Sequence, residues 1–218
     1  MKTKGFIFDL DGVIVDTAKY HFLAWKNLAN SLGFDFTETQ NEQLKGVSRV
    51  ESLKKILAWG NTTVSDDKFQ ALMALKNTEY LEFINKMDDS EILPDVPRVL
   101  DYLIENNQGV SLGSASKNAR VILEKVNLLS KFKTIVDGND VSKAKPDPEV
   151  FLNAAKSLHI NPEDCVVFED SVAGVQAANT ANMISIGIGS KAVLHEADYI
   201  FNDFTEISTD FINKLINN

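Results

Sequence analysis

The sequence has 218 residues, 44% of them hydrophobic, and a net charge of −9 from 22 basic and 31 acidic residues. That length allows one sizeable core with a smaller insert, and the acidic balance excludes nucleic acid or an anionic membrane surface as the main partner. A single cysteine, Cys165, excludes an intrachain disulfide and, set in an apolar run, reads as a small core residue. In chain order, Gly5 to Phe8 is a short apolar run and reads as a buried strand. It begins almost at the first residue without a signal-peptide pattern, and no segment is long and apolar enough to span a bilayer, so a cytoplasmic protein is expected. Thr17 to Leu32 reads as a helix stopped by Gly33, with Thr17, His21, Ala24, Trp25, Leu28 and Leu32 on one face. A short helix follows over Glu38 to Leu44. Ser48 and Glu51 fit a capping box that starts a helix reaching Trp59. Ser65 caps a longer helix to about Met87, with Asp66 and Asp67 in its first turn.

From there strands and helices alternate. A helix falls within Pro94 to Asn107, a strand covers Gly109 to Gly113, and a helix follows to about Val126. Thr134 to Val136 is a short strand. Lys145-Pro146-Asp147-Pro148 leads into a helix with Asp147 as cap and Pro148 at the first helical position. Cys165 to Phe168 is a strand, Ser171 to Ala181 a helix, Ile184 to Ile188 a strand, and Tyr199 to Phe201 a last strand before a C-terminal helix. The pattern predicts an α/β fold, a doubly wound, Rossmann-like parallel sheet with an all-helical cap inserted after the first strand. Residues 1–16 and 92–218 form the expected core and 17–91 the cap.

The chemistry sits at strand ends. In open α/β sheets ligands bind beyond the carboxyl ends of the strands. Asp9 and Asp11 end the first strand, Ser114, Ser116 and Lys117 follow the second, Lys145 precedes a helix, and Glu169 and Asp170 end another strand. Clustered carboxylates with a lysine and a hydroxyl fit a Mg²⁺ ion beside a bound phosphoryl group. A carboxylate can attack phosphorus to give an aspartyl-phosphate, and a second can serve as acid and base. Asp11 would need desolvation to hold a proton near neutrality, since an aspartate ordinarily titrates at about 3.9.

This order of motifs, Asp9-Leu10-Asp11-Gly12-Val13, Ser114, Lys145 and Glu169-Asp170-Ser171, resembles the haloacid dehalogenase superfamily of phosphotransferases. The resemblance implies Asp9 as nucleophile and metal ligand and Asp11 as acid/base and ligand through its backbone carbonyl. It also implies Ser114 and Lys145 as phosphoryl holders, and Glu169 and Asp170 as further metal ligands. The segments Asp16-Thr17-x-x-Tyr20-His21-x-x-Ala24-Trp25, Lys45 to Leu53, and Ser114-Ala115-Ser116-Lys117-Asn118 are similar to the β-phosphoglucomutase family within that superfamily. The resemblance implies interconversion of β-glucose 1-phosphate and glucose 6-phosphate by a monomer, through β-glucose 1,6-bisphosphate, which also primes the enzyme. It implies substrate contacts at Thr17, His21, Trp25, Lys45, Gly46, Val47, Ser48, Arg49, Ser52, Lys76 and residues Ser114, Ala115, Ser116, Lys117 and Asn118. Two rival readings stay open: a sugar-phosphate phosphatase on the same fold, and a phospho-acceptor signalling domain.

The residues themselves leave three choices open. Lys76 falls on the apolar stripe of the long cap helix with Phe69, Leu72, Met73, Tyr80, Phe83, Ile84 and Met87. It either snorkels at the edge of the stripe or points into the cleft for a phosphate. His21 and Trp25 read as core on spacing alone. Arg49, in a helix's first turn, is either a solvated surface residue or a partner for an anion at that terminus.

Overall fold

The computed structural model of the chain describes residues 3–217. Its strands are β1 (Gly5–Phe8), β2 (Gly109–Gly113), β3 (Thr134–Val136), β4 (Cys165–Glu169), β5 (Ile184–Ile188) and β6 (Tyr199–Phe201). They form one parallel sheet in the order β3-β2-β1-β4-β5-β6. β1 lies at the centre with Phe8 opposite Leu112 on one side and Phe168 on the other. Covered on both faces, it is a continuous apolar run rather than an alternating one. The strand order reverses between β1 and β4, and the crevice at such a reversal is where open α/β sheets bind ligands. Asp9 follows β1 and Glu169 ends β4, so the acidic strand ends meet at that crevice. A receiver domain runs in the order 2-1-3-4-5; this sheet does not, which removes the signalling reading.

Between β1 and β2 the chain is helical. It forms α1 (Ala18–Ser31), α2 (Glu38–Glu42), α3 (Arg49–Trp59), α4 (Asp66–Ile84) and α5 (Val96–Glu105). The remaining helices are α6 (Ala119–Lys125), α7 (Glu149–Leu158), α8 (Val172–Thr180) and α9 (Thr209–Asn217). Side chains alternate across β1. Phe6 and Phe8 enter an apolar layer shared with α5, α6 and α9, while Ile7 enters the opposite layer with α7 and α8. Each of these buried side chains contributes roughly 1.5–3 kcal/mol. Cys165 belongs to the Ile7 layer, and burial pushes its thiol up to about 12.

The first four helices gather a separate apolar cluster that includes Trp25, Leu28, Phe36, Leu53, Ile56 and Leu72. Ala24, Tyr80 and Ile84 pack instead into the Phe6–Phe8 layer and seat the helical segment on the sheet. The two connections to that segment run side by side. Val15 bridges Ile92, the Leu93 N–H donates to the Ile14 carbonyl at 3.0 Å, and the Asp16 N–H donates to the Glu91 carbonyl at 3.0 Å. The separate cluster and this paired connection support our proposed division into a core, 1–16 and 92–218, and a cap, 17–91.

Some helix ends differ from expectation. α1 lies within Thr17 to Leu32, one residue short at each end, and α2 stops at Glu42. α4 stops at Ile84 rather than Met87, with Asn85 as its C-cap, although Met87 still packs in the core. Only half of the expected capping box forms at α3. Ser48 Oγ accepts the Glu51 N–H at 3.3 Å, but the Glu51 carboxylate turns to Lys54 at 2.7 Å. The complete box belongs to Thr37 and Gln40 at α2. α7 begins one residue later than read, with Pro148 as N-cap, because Asp147 Oδ1 reaches past the proline to the Glu149 N–H at 3.0 Å.

Candidate active site

The centre of the site is a buried lysine between two acids. Lys145 Nζ donates to Asp9 Oδ1 at 2.5 Å and to Glu169 Oε1, and lies 4.8 Å from the centre of the Phe151 ring. Burial alone would lower an ammonium; the two carboxylates outweigh it and raise Lys145 above its ordinary value. Burial raises Asp9, opposed chiefly by the Lys145 charge. The other Glu169 oxygen accepts the Ser171 N–H at 2.9 Å and the Ser171 hydroxyl at 2.8 Å. Both of its oxygens are therefore engaged, which ties Glu169 to Lys145 and to the β4–α8 turn.

Asp170 packs against the first loop. At Gly12, where φ is +81°, a Cβ would lie 2.2 Å from Asp170 Oδ2, so only glycine lets the two acidic loops approach so closely. The cap reaches the same acid, with Lys45 Nζ 3.4 Å from Asp170 Oδ2. Burial and then the Glu169 charge push Asp170 up to about 7, against the pull of Lys45.

Asp9 and Asp170 fit a hard divalent cation. Both are oxygen donors whose ionised forms are disfavoured by burial and by neighbouring carboxylates, and a cation would relieve both. No three His, Cys, Asp or Glu side chains among the described residues form a metal cage. Mg²⁺ does not need one, since it binds through one or two carboxylates and fills its other positions with water and phosphate oxygens. The raised Asp170 has a consequence for stability. Between its unfolded value of about 3.9 and its folded value of about 7, the folded state binds more protons than the unfolded one. Its contribution to stability is therefore present at low pH and lost as pH rises toward 7. Metal binding requires the ionised acid. Differential scanning fluorimetry is therefore expected to show a larger rise in Tm on adding Mg²⁺ at pH 8 than at pH 5. An equal or larger rise at pH 5 would remove Asp170 from the metal site.

Asp11 faces the cap. Its Oδ1 accepts a hydrogen bond from Thr17 Oγ1, and burial, the largest influence, raises its pKa against that bond. His21 Nε2 stands 3.8 Å from the same oxygen. On the far side of the ring Lys76 Nζ lies 2.9 Å from His21 Nδ1. Burial and the Lys76 and Arg49 charges hold His21 well below its ordinary value, so the ring is neutral. With Lys76 charged and donating to Nδ1, the ring proton sits on Nε2, toward Asp11. Lys76 is 1% exposed, 4.8 Å from the Trp25 ring centre and 4.3 Å from that of Tyr80. It therefore points inward rather than snorkelling. Burial and then the Arg49 charge lower it to about 7. Trp25 belongs to the cap's apolar cluster and also lines the cleft, so core and site are one position here.

A cavity of about 450 Å³ opens between cap and core. Asp9, Asp11, Ser114 and Asp170 line its floor. The cap supplies His21, Trp25, Lys45, Gly46, Val47, Ser48, Arg49, Ser52 and Lys76, and the β2–α6 turn supplies Ala115, Ser116, Lys117 and Asn118. Thr17, Lys145 and Glu169 stand behind this wall and act through Asp11 and Asp9. Arg49 is half-buried on the cavity and makes no side-chain hydrogen bond or ion pair among the described residues, so it is not a solvated surface residue. Ser114 Oγ, deep in the wall, accepts the Ser116 N–H at 3.1 Å.

Sequence reading missed Glu149. Its carboxylate accepts the N–H groups of Ser142 at 3.1 Å and Lys143 at 2.7 Å, and the Ser142 hydroxyl at 2.9 Å. These bonds lower its pKa and fasten the loop that lines the cavity just before Lys145. The available signal was an acid in the first turn of α7, which a helix N-terminus explains equally well.

The comparisons agree with this geometry. Over 213 residues the chain is 39% identical to a β-phosphoglucomutase of Bacillus subtilis, covering 97% of this chain and 94% of that protein. It superposes on the crystal structure of a β-phosphoglucomutase from Clostridium difficile with a TM-score of 0.95 and 39% identity, covering 99% and 98% of the two chains. A fructose-1-phosphate phosphatase of Escherichia coli is 29% identical over 84% of this chain and 95% of its own. The haloacid dehalogenase-like hydrolase pattern matches residues 6–188, a span that opens on β1 and closes on β5 and so holds every strand-end residue of the site; the chain belongs to that family.

Proposed function

We propose that this chain is a β-phosphoglucomutase that interconverts β-glucose 1-phosphate and glucose 6-phosphate. It works through an aspartyl-phosphate on Asp9 and β-glucose 1,6-bisphosphate. The observation that carries the reading is one cavity lined both by the strand-end groups Asp9, Asp11 and Ser114 and by the cations Arg49 and Lys117. Asp9, Ser114 and Lys145 serve the reacting phosphoryl group, and the unpaired Arg49 with Lys117 serves the other phosphate. A volume of about 450 Å³ suits a sugar phosphate, and the extent of identity to the Bacillus subtilis enzyme supports the same substrate.

In this reading phosphorylated Asp9 gives its phosphoryl group to the free hydroxyl of the bound sugar monophosphate; the resulting bisphosphate turns round, and Asp9 attacks the phosphorus of its other phosphate, releasing the product monophosphate. Lys145 holds Asp9 in place and offsets the charge of the group it attacks. Asp11, with its raised pKa, protonates the leaving oxygen and deprotonates the attacking one. Asp9, Glu169, Asp170 and the Asp11 carbonyl would hold Mg²⁺, which when bound would offset the repulsion between an anionic nucleophile and an anionic phosphate. The cap covers the site and excludes water that would hydrolyse the aspartyl-phosphate. One chain supplies every residue named, as a monomer would. The buried free thiol of Cys165 fits the reducing cytoplasm. Among the described residues no helix is long and apolar enough to cross a membrane.

The phosphatase reading shares all of this except water exclusion, and the Escherichia coli relative keeps it in view. A paired assay separates them. With β-glucose 1-phosphate, Mg²⁺ and a trace of glucose 1,6-bisphosphate, glucose 6-phosphate is expected without matching release of inorganic phosphate, and no product is expected from the α anomer. Stoichiometric phosphate release would establish the phosphatase instead.

A further inference from the structure

Cap and core share a hydrogen bond that the proposed chemistry does not use. Asn118 Nδ2, on the core side, donates to Asn77 Oδ1 on α4 at 3.0 Å. Asn118 is the N-cap of α6. An asparagine there ordinarily turns its side-chain oxygen onto a free N–H of the first turn, a bond worth about 1 kcal/mol. Asn118 makes no such bond. Its side chain reaches out to the cap instead, while its own N–H is taken by Ser116 Oγ at 3.3 Å. Asn118 lines the cavity next to Lys117, and Asn77 follows Lys76 on the helix above.

The amide nitrogen carries two hydrogens. Asn77 accepts one and so fixes which way the amide faces; the second is left for a ligand. Released from Asn77, the amide would be free to take the ordinary cap rotamer, which trades that donor for an acceptor bonded to its own helix. We propose that Asn77 is a positioning residue that turns the Asn118 amide donor toward the phosphomonoester at the non-reacting end of the sugar. Seating of the cap on the core thereby completes the grip on that phosphate. This rests on the reading that the cavity holds a sugar phosphate with one phosphate away from Asp9.

The test is a double-mutant cycle of Asn77→Ala and Asn118→Ala. It reads the Kd of glucose 6-phosphate by calorimetry with Mg²⁺ present, and the KM and kcat for β-glucose 1-phosphate. Alanine is a strong helix former, so Asn77→Ala is expected to fold, with Tm as the check. It should raise Kd and KM roughly threefold to tenfold, with the effect on KM rather than kcat. The double variant should match Asn118→Ala alone, since Asn77 acts only through its partner. Labelling of Asp9 by acetyl phosphate, which has no second phosphate, should not show this loss. An Asn77→Ala protein that binds like wild type, or losses that add in the double variant, would overturn the proposal. Phosphate release by the wild type would overturn the mutase reading alone, because the binding arm of the cycle still reads the coupling.

Discussion

An Asp9→Ala enzyme is expected to convert β-glucose 1-phosphate roughly 10⁴- to 10⁶-fold more slowly than wild type, as befits loss of a nucleophile that other groups serve. The structure makes this substitution informative because it separates chemistry from folding. Asp9 is buried against Lys145, yet Lys145 keeps Glu169 as partner when Asp9 is gone. The variant should therefore fold, bind sugar phosphate and fail at the first bond-making step. Incubation with acetyl phosphate followed by mass spectrometry should place a phosphoryl group on Asp9 of the wild type and none on the variant. A label on any other residue, or activity within tenfold of wild type, would remove Asp9 from the role assigned to it.

Lys145→Ala is expected to have the largest effect on stability. It leaves the Asp9 and Glu169 carboxylates, both almost fully buried, facing one another without the ammonium between them. Breaking a buried ion pair by removing one partner costs about 3–5 kcal/mol. For a chain of this size that is a fall in Tm on the order of 10 °C. The sign of its pH dependence follows from the same picture. Without Lys145 the force that lowers Asp9 is gone, so its folded-state value rises further above its unfolded one. Stability of the variant is then retained at low pH, where Asp9 is protonated, and lost as pH rises. The gap in Tm between variant and wild type should widen from pH 5 to pH 8. A gap that narrows would mean that the ammonium does not compensate these acids.

Much of this was legible because it rests on one-dimensional signals. Continuous apolar runs ending in acids mark the strands and place Asp9, Ser114 and Glu169 at one edge, since a parallel sheet brings its carboxyl ends together. Lys76 was visible as a charge on an apolar stripe. What the sequence hid are side-chain choices between partners far apart in the chain. Glu51 could have closed its own capping box and instead pairs with Lys54. Glu169 was legible as an acid at a strand end, but its bonds to Lys145 and Ser171 were not. Glu149 and Asn77 were ordinary helix residues until folding set them beside Ser142 and Asn118. Helix ends slipped for a related reason. Apolar spacing runs on through Met87, but burial of Met87 needs only a turn, not another turn of helix.

The paired connections between cap and core limit how the jaw can move. Val15 is bridged to Ile92, and the flanking residues are bonded carbonyl to N–H, so neither connection can lengthen without tearing the other. A ribbon of this kind bends more readily than it shears, which leaves the cap essentially one degree of freedom, a rotation about the ribbon. In the cycle we propose, a bisphosphate that turns round between the two halves would meet the same cap in the same attitude both times. A single recognition surface must therefore accept the sugar in either orientation. Its contacts with the sugar ring must be indifferent to direction, while its contacts with the far phosphate must not be.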